Sequence, residues 1–222
     1  MLPTFVRELT DQKAITWATD CKGANADIIS MSFGFPEEPS VGGRHPISSA
    51  IYNAVAKRDG KIIFFAAAAN EGGNKREMFP AQHSEVISIR ATDHQGIFQD
   101  FNPPLDFQTA PAFGTLGKDV PGAWLNTDDG EVCKTGTSIA TSIAAGTAAT
   151  ILGYVQLGLL SERFDNIDLV KKLWTRPGMI SALMKFSKEM DTKRFYLYPQ
   201  DFLKKMNVQD RDARLIDAAG NQ

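Results

Sequence analysis

The chain has 222 residues, is 43% hydrophobic and carries a formal net charge of −2, enough for one soluble globular domain with a sizeable core. The basic residues near its end, Lys185, Lys188, Lys193, Arg194, Lys204 and Lys205, are interleaved with Glu189, Asp191 and Asp201, which describes a solvated face and excludes a nucleic-acid footprint. Cys21 and Cys133 are too few for a disulfide framework, and Met1 to Glu8 hold no apolar run of signal-peptide length, so the expectation is an intracellular, cytoplasmic protein with no membrane partner.

Taken in chain order, the first predicted element is a helix from about Thr10 to Cys21. A strand follows over Ala26 to Ser32, apolar at Ile28, Ile29 and Met31, and leads into Phe33-Gly34-Phe35. Lys61 to Ala68, with Ile62, Ile63, Phe64 and Phe65, reads as a buried parallel strand. It ends in Ala69-Asn70-Glu71-Gly72, and an asparagine at a strand end is able to donate a side-chain hydrogen bond into a cleft. Val86 to Thr92 gives a third strand and Val120 to Leu125 a weak fourth. Asp128-Asp129-Gly130 is read as a turn. Cys133 is read as a small buried or loop residue, because no CxxC or metal spacing accompanies it.

The segment Gly136-Thr137-Ser138-Ile139-Ala140-Thr141-Ser142-Ile143-Ala144-Ala145-Gly146 opens a helix that runs to about Leu160. Apolar and small residues on every side predict a helix buried all round, with too many Thr and Ser for a membrane span. A serine in its first turn is either an N-cap or a group placed beside free backbone N–H donors and the positive end of the helix dipole, which favour a developing anion. Beyond it, an amphipathic helix is expected from Phe164 to Trp174, ended by Arg176-Pro177-Gly178, and a second from Met179 to Met190. Phe195, Tyr196, Tyr198 and Phe202 suggest packing on the core. Arg211 to Gln222 is expected to fray or to run on as a linker.

Three of these segments in order, the strand with Ser32-Phe33-Gly34, the strand ending Ala68-Ala69-Asn70, and Gly136-Thr137-Ser138, resemble the SxGG, AAGN and GTSMAxPHVAG segments of the subtilisin-like serine proteases. Phe79-Pro80 with Glu85 to Asp93 is similar to that family's YP-x-VIAVGAVD. The likeness covers roughly residues 10 to 158. It implies an α/β fold, a parallel β-sheet flanked by helices in the subtilisin-like three-layer architecture, here lacking its N-terminal strands. Residues 1–160 would form a partial catalytic domain, and 161–222 a C-terminal helical extension that packs on the core or leads to a further domain. The resemblance implies Ser138 as the nucleophile and Asn70 as oxyanion donor with the Ser138 N–H. It implies strand addition of a polypeptide substrate along Ser32, Phe33 and Gly34, with Ala67, Ala68 and Ala69 as the facing pocket wall. No cofactor or metal is implied by these residues.

The chain departs from that pattern in ways that matter. Phe35 stands where a second glycine is expected, which would crowd the substrate face, and Ala69 replaces the glycine before the asparagine, which would make a smaller pocket. The family's catalytic aspartate and histidine precede the Ser32 strand, and no such residues are found there. His45, His83 and His94 all lie in turn-like contexts. Loss of the histidine alone lowers turnover about 10⁶-fold, a magnitude taken from this same family, or roughly 8 kcal/mol of barrier. The expectation is therefore a serine endopeptidase fragment, inactive alone, with a complementing N-terminal segment carrying Asp and His as its partner. The alternative is a peptide-binding module that does not cut. A nucleophile-elbow hydrolase is disfavoured, because Gly136-Thr137-Ser138-Ile139-Ala140 lacks the second glycine of GxSxG.

Overall fold

Every residue of the strand Ile63–Ala67 is buried, as an apolar run must be when helices cover both faces of a sheet. A computed structural model describes residues 4–20, 22–73, 75–104, 111–123, 125, 130–191, 193–203 and 206–221. The elements are α1 (Thr4–Thr19), β1 (Ile28–Met31), α2 (Pro46–Lys57), β2 (Ile63–Ala67), β3 (Val86–Thr92), β4 (Ala112–Leu116), β5 (Val120–Ala123), β6 (Glu131–Lys134), α3 (Thr137–Leu160), α4 (Ile167–Lys171), α5 (Arg176–Lys185), β7 (Ser187–Asp191), β8 (Arg194–Leu197), α6 (Pro199–Leu203) and α7 (Val208–Gly220). A 3₁₀ turn over Lys172–Trp174 joins α4 to α5.

The main sheet has the order β1-β2-β3-β4-β8-β7. Its first five strands run parallel, and β7 closes the far edge antiparallel to β8. On one face α3 lies across β1 to β4, and Ala140, Ala144, Ala148, Ile151 and Val155 are buried against Phe65, Ile89 and Phe113 in one core that also takes in α5 and α7. On the other face α2 and α1 contribute Ile47, Ile51 and Ile15 to a second core with Phe64, Met31 and Val86. This is the predicted α/β architecture of a parallel sheet between two helical layers.

Several elements differ from the sequence-based expectation. The strand at Val120 pairs antiparallel with β6 in a separate ribbon and does not join the main sheet. The fourth main strand is β4, whose sequence Ala-Phe-Gly-Thr-Leu is interrupted by Gly114 and lacks a continuous apolar run. Residues 161–222 are not helical throughout, since β8 lies beside β4 and β7 beside β8. The Arg176-Pro177-Gly178 segment starts a helix instead of ending one. Thr175 caps it by accepting from the Gly178 N–H at 3.2 Å, and proline is well tolerated in a first turn, where its missing N–H has no partner to lose. That helix stops at Lys185, so the predicted helix to Met190 is replaced by β7.

Residues 211–220, expected to fray, belong to α7. In α7 Leu215, Ala218 and Ala219 are buried in the main core, and the Tyr154 hydroxyl donates to Asp212 at 2.8 Å, tying α7 to α3. Helix α3 is not buried all round either: Leu157 and Leu160 are largely exposed. It has the length and apolar composition of a membrane span, but its inner face is a sheet-packing face. At the β1 edge, Ile28 and Ile29 are half-buried and Met31 is buried, so the flanking helices cover these apolar side chains although no further strand pairs with β1 among the described residues. Cys21 and the Asp128-Asp129 turn lie outside the described residues.

Two outcomes test this arrangement. Leu215→Ala should cost about 2–5 kcal/mol in urea unfolding, a loss no frayed tail would produce. His83 is buried between Tyr52 and Phe79, and burial holds its imidazole below the ordinary value. A base whose folded pKa is depressed favours folding above its unfolded value of about 6.5 and loses that contribution as pH falls through it. Stability should fall as pH drops below about 6.5, and His83→Gln should flatten that fall in urea midpoints measured across the acid range.

Candidate active site

Parallel strands end on a common edge, and here the register sets Met31 of β1 against Ala66 of β2. Ser32-Phe33-Gly34 and Ala68-Ala69-Asn70 therefore leave the sheet side by side. Helix α3 starts at the same edge. Asn70 Oδ1 accepts from the Thr137 N–H at 2.7 Å and from the Thr137 hydroxyl at 3.0 Å, while the Ser32 hydroxyl donates to the Ser138 carbonyl at 3.4 Å. The Gly136 N–H donates to Gly117 O at 2.8 Å, which joins the end of β4 to the same junction.

Gly136 precedes the helix with φ of 154°, and a Cβ there would come to 3.3 Å from Asn70 Nδ2. Glycine is needed for the backbone angle and for the approach of Asn70. Ser138 is the second residue of α3, at the positive end of a 24-residue helix dipole. With Oδ1 occupied twice by Thr137, the Asn70 amide presents Nδ2 as its remaining donor, and Asn70 itself is exposed. The structure thus brings Ser138, Asn70 and Ser32 to one place.

The remaining predicted residues frame that place. Ala67, Ala68 and Ala69 are buried, and Gly34 and Phe33 are half-buried. Phe35 does not crowd an open face: it is buried in the core beneath α2 and forms a two-bond bridge with Phe79, Phe35 N to Phe79 O at 2.8 Å and Phe79 N to Phe35 O at 2.9 Å. Met78 was not singled out from the sequence. Its N–H donates to Ala68 O at 2.9 Å, and its side chain packs on Gly34, where a Cβ would meet Met78 Cβ and Sδ at 2.9 Å. Met78 therefore spans from one predicted wall to the other.

None of the three histidines hydrogen-bonds to Ser138 among the described residues. His83 precedes β3, on the edge opposite Ser138, and a seven-residue strand separates the two edges by roughly 20 Å. His94 is exposed in the turn after β3, and His45 faces Glu38 at 3.7 Å. Cys133 is exposed on β6 and not buried. Among the described residues no group of three His, Cys, Asp or Glu side chains is arranged to hold a metal ion.

Comparison with known proteins identifies the fold and the family. Subtilisin-like protease 3 of Pseudogymnoascus destructans is 30% identical over 149 residues, covering 64% of this chain and 33% of that protein. The chain spans about a third of the length of this curated relative. Among solved structures, the prenylagaramide maturation protease PagA aligns with a TM-score of 0.62 at 24% identity, over 94% of this chain and 68% of its own. The PatG macrocyclase in complex with peptide aligns with a TM-score of 0.60 at 22% identity, over 83% of this chain and 49% of its own; both share the fold. The match to PagA extends past residue 163, so it includes part of the C-terminal segment. The family model for the subtilase family matches residues 4–163, and the chain belongs to that family.

Proposed function

We propose that this chain is the nucleophile-bearing part of a subtilisin-like serine endopeptidase, which hydrolyses peptide bonds through an acyl-enzyme on Ser138. The observation that carries this reading is the double anchoring of Asn70 Oδ1 by Thr137, which leaves Asn70 Nδ2 as a donor beside the first turn of α3. Nδ2 and the Ser138 N–H would stabilise the oxyanion of the tetrahedral intermediate, and both are preorganised by the fold. A polypeptide would add as a strand along Ser32-Phe33-Gly34. The side chain before the scissile bond would enter between that segment and Ala67 to Ala69, with Met78 closing the floor. The Ala69 methyl and the Met78 side chain both make the pocket shallow.

The base is the part not supplied by the described residues. Serine needs an imidazole within about 3 Å to lose its proton on attack, and none of the three histidines bonds to Ser138. A complementing segment carrying Asp and His would provide it. The same lack of a base favours the second reading, a groove that captures extended peptides without cutting them.

Labelling by a fluorophosphonate probe separates the two. With a complementing Asp- and His-bearing segment added, Ser138 should label and Ser138→Ala should not; without it, labelling should be absent or slower by about 10⁶-fold. Asn70→Ala in the complemented enzyme should lower kcat by about 10²–10³-fold, the loss known for one oxyanion donor in this same family. A folded complex that never labels supports the capture reading instead.

A further inference from the structure

On β3, Ser88 and Arg90 stand two residues apart on one face of the sheet, and both reach Glu77, the residue before Met78. The Ser88 hydroxyl donates to Glu77 Oε1, and Arg90 Nη2 lies 3.3 Å from the same oxygen. Arg90 is 7% exposed, and its Nε has no partner among the described residues. In the VIAVGAVD segment that this strand resembles, these two positions are the small residues alanine and glycine. Here both carry side chains that bind the same carboxylate.

A buried ion pair is a poor way to gain stability, because desolvating both charges offsets much of their attraction and apolar residues of similar size serve as well or better. Its strength lies in fixing geometry. What it fixes here is the short segment that links the two walls of the pocket. Glu77 is held to β3 by its side chain, Met78 to Ala68 O by its backbone and to Gly34 by its side chain, and Phe79 to Phe35 by a pair of backbone bonds. Burial lowers the Arg90 guanidinium from its ordinary value and Glu77 opposes that shift.

We propose that Ser88 and Arg90 are positioning residues for substrate selection, holding Glu77 so that Met78 forms a fixed floor under the side chain before the scissile bond. This rests on the peptide-groove reading given above and names the part of the chain that sets its specificity. With the floor fixed, the pocket takes small side chains and rejects large aromatic ones. With Glu77 released, Met78 swings on its three flexible bonds and the discrimination falls.

The test uses the 222-residue chain carrying Ser138→Ala and a panel of labelled peptides differing only in the side chain before the cleavage position, with binding read by fluorescence anisotropy. Glu77→Gln and Arg90→Gln should each reduce the preference for alanine over phenylalanine on the order of fivefold, and Arg90→Lys should keep most of it. In a Met78→Ala background the same substitutions should change the preference no further, because the effect passes through Met78. Independently of any peptide, hydrogen exchange at the Met78 amide should speed up in Glu77→Gln while the Phe65 amide keeps its protection.

Equal weakening of all peptides, additive effects in the Met78→Ala background, or unchanged exchange at Met78 would each overturn the positioning role and leave the groove reading standing. If the parent chain shows no side-chain preference at all, the groove reading fails first and the inference falls with it.

Discussion

The seating of α3 on β1 to β4 is the constraint on which the rest of the molecule depends. Ala140, Ala144 and Ala148 recur every fourth residue and are fully buried, so the helix presents methyl groups to the sheet and approaches it closely. Side chains of the size of Leu at these positions would push the helix outward, and interiors packed at crystal density absorb such a change poorly. The consequence is felt at the helix start. Thr137 meets Asn70 at 2.7 Å only if the first turn of α3 lies just above the end of β2. A core-packing requirement and the geometry of the candidate active site are thus the same requirement.

The same seating explains why the two faces of the sheet differ. The α3 face holds the larger core and takes in the C-terminal helices. The opposite face is apolar beneath α1 and α2, but turns polar where Ser88 and Arg90 meet Glu77. Polar atoms inside a sheet layer cost free energy unless they are paired, and these lie beside the 77–79 segment that the proposed groove uses as its floor. The polar patch is local to the region where position matters more than burial.

How far the sequence could be read follows from the same physics. β2 was legible because a strand buried on both faces is a short run of Ile, Phe and Ala, and β1 and β3 because short stretches rich in Ile and Val end among small polar residues. Asn70 and Ser138 were legible because each sits where an apolar element ends or begins among small polar residues. β4 was hidden by Gly114, and β7, Ser-Lys-Glu-Met-Asp, by the charges an edge strand tolerates. α5 was misread at its start because Pro and Gly side by side signal a stop in isolation, and only the cap from Thr175 shows that they open a helix. Met78 was invisible for a different reason: nothing in its neighbours reveals that residues 34 and 78 touch. Contacts between distant segments carry no local signal.

On the proposed reading, substrate selection and proton transfer are physically separate in this fold. The groove walls, the floor and the oxyanion donors come from β1, β2, the 77–79 segment and α3, which share one rigid sheet edge. The base is not among them. Oxyanion stabilisation and binding alone are worth about 10³–10⁴ over water, while the base contributes the remaining factor of about 10⁶ without touching the side-chain pocket. A supplied histidine should therefore change how fast a peptide is cut and not which peptide is held. On that reading the chain's own residues set the second, through the depth of the Met78 floor.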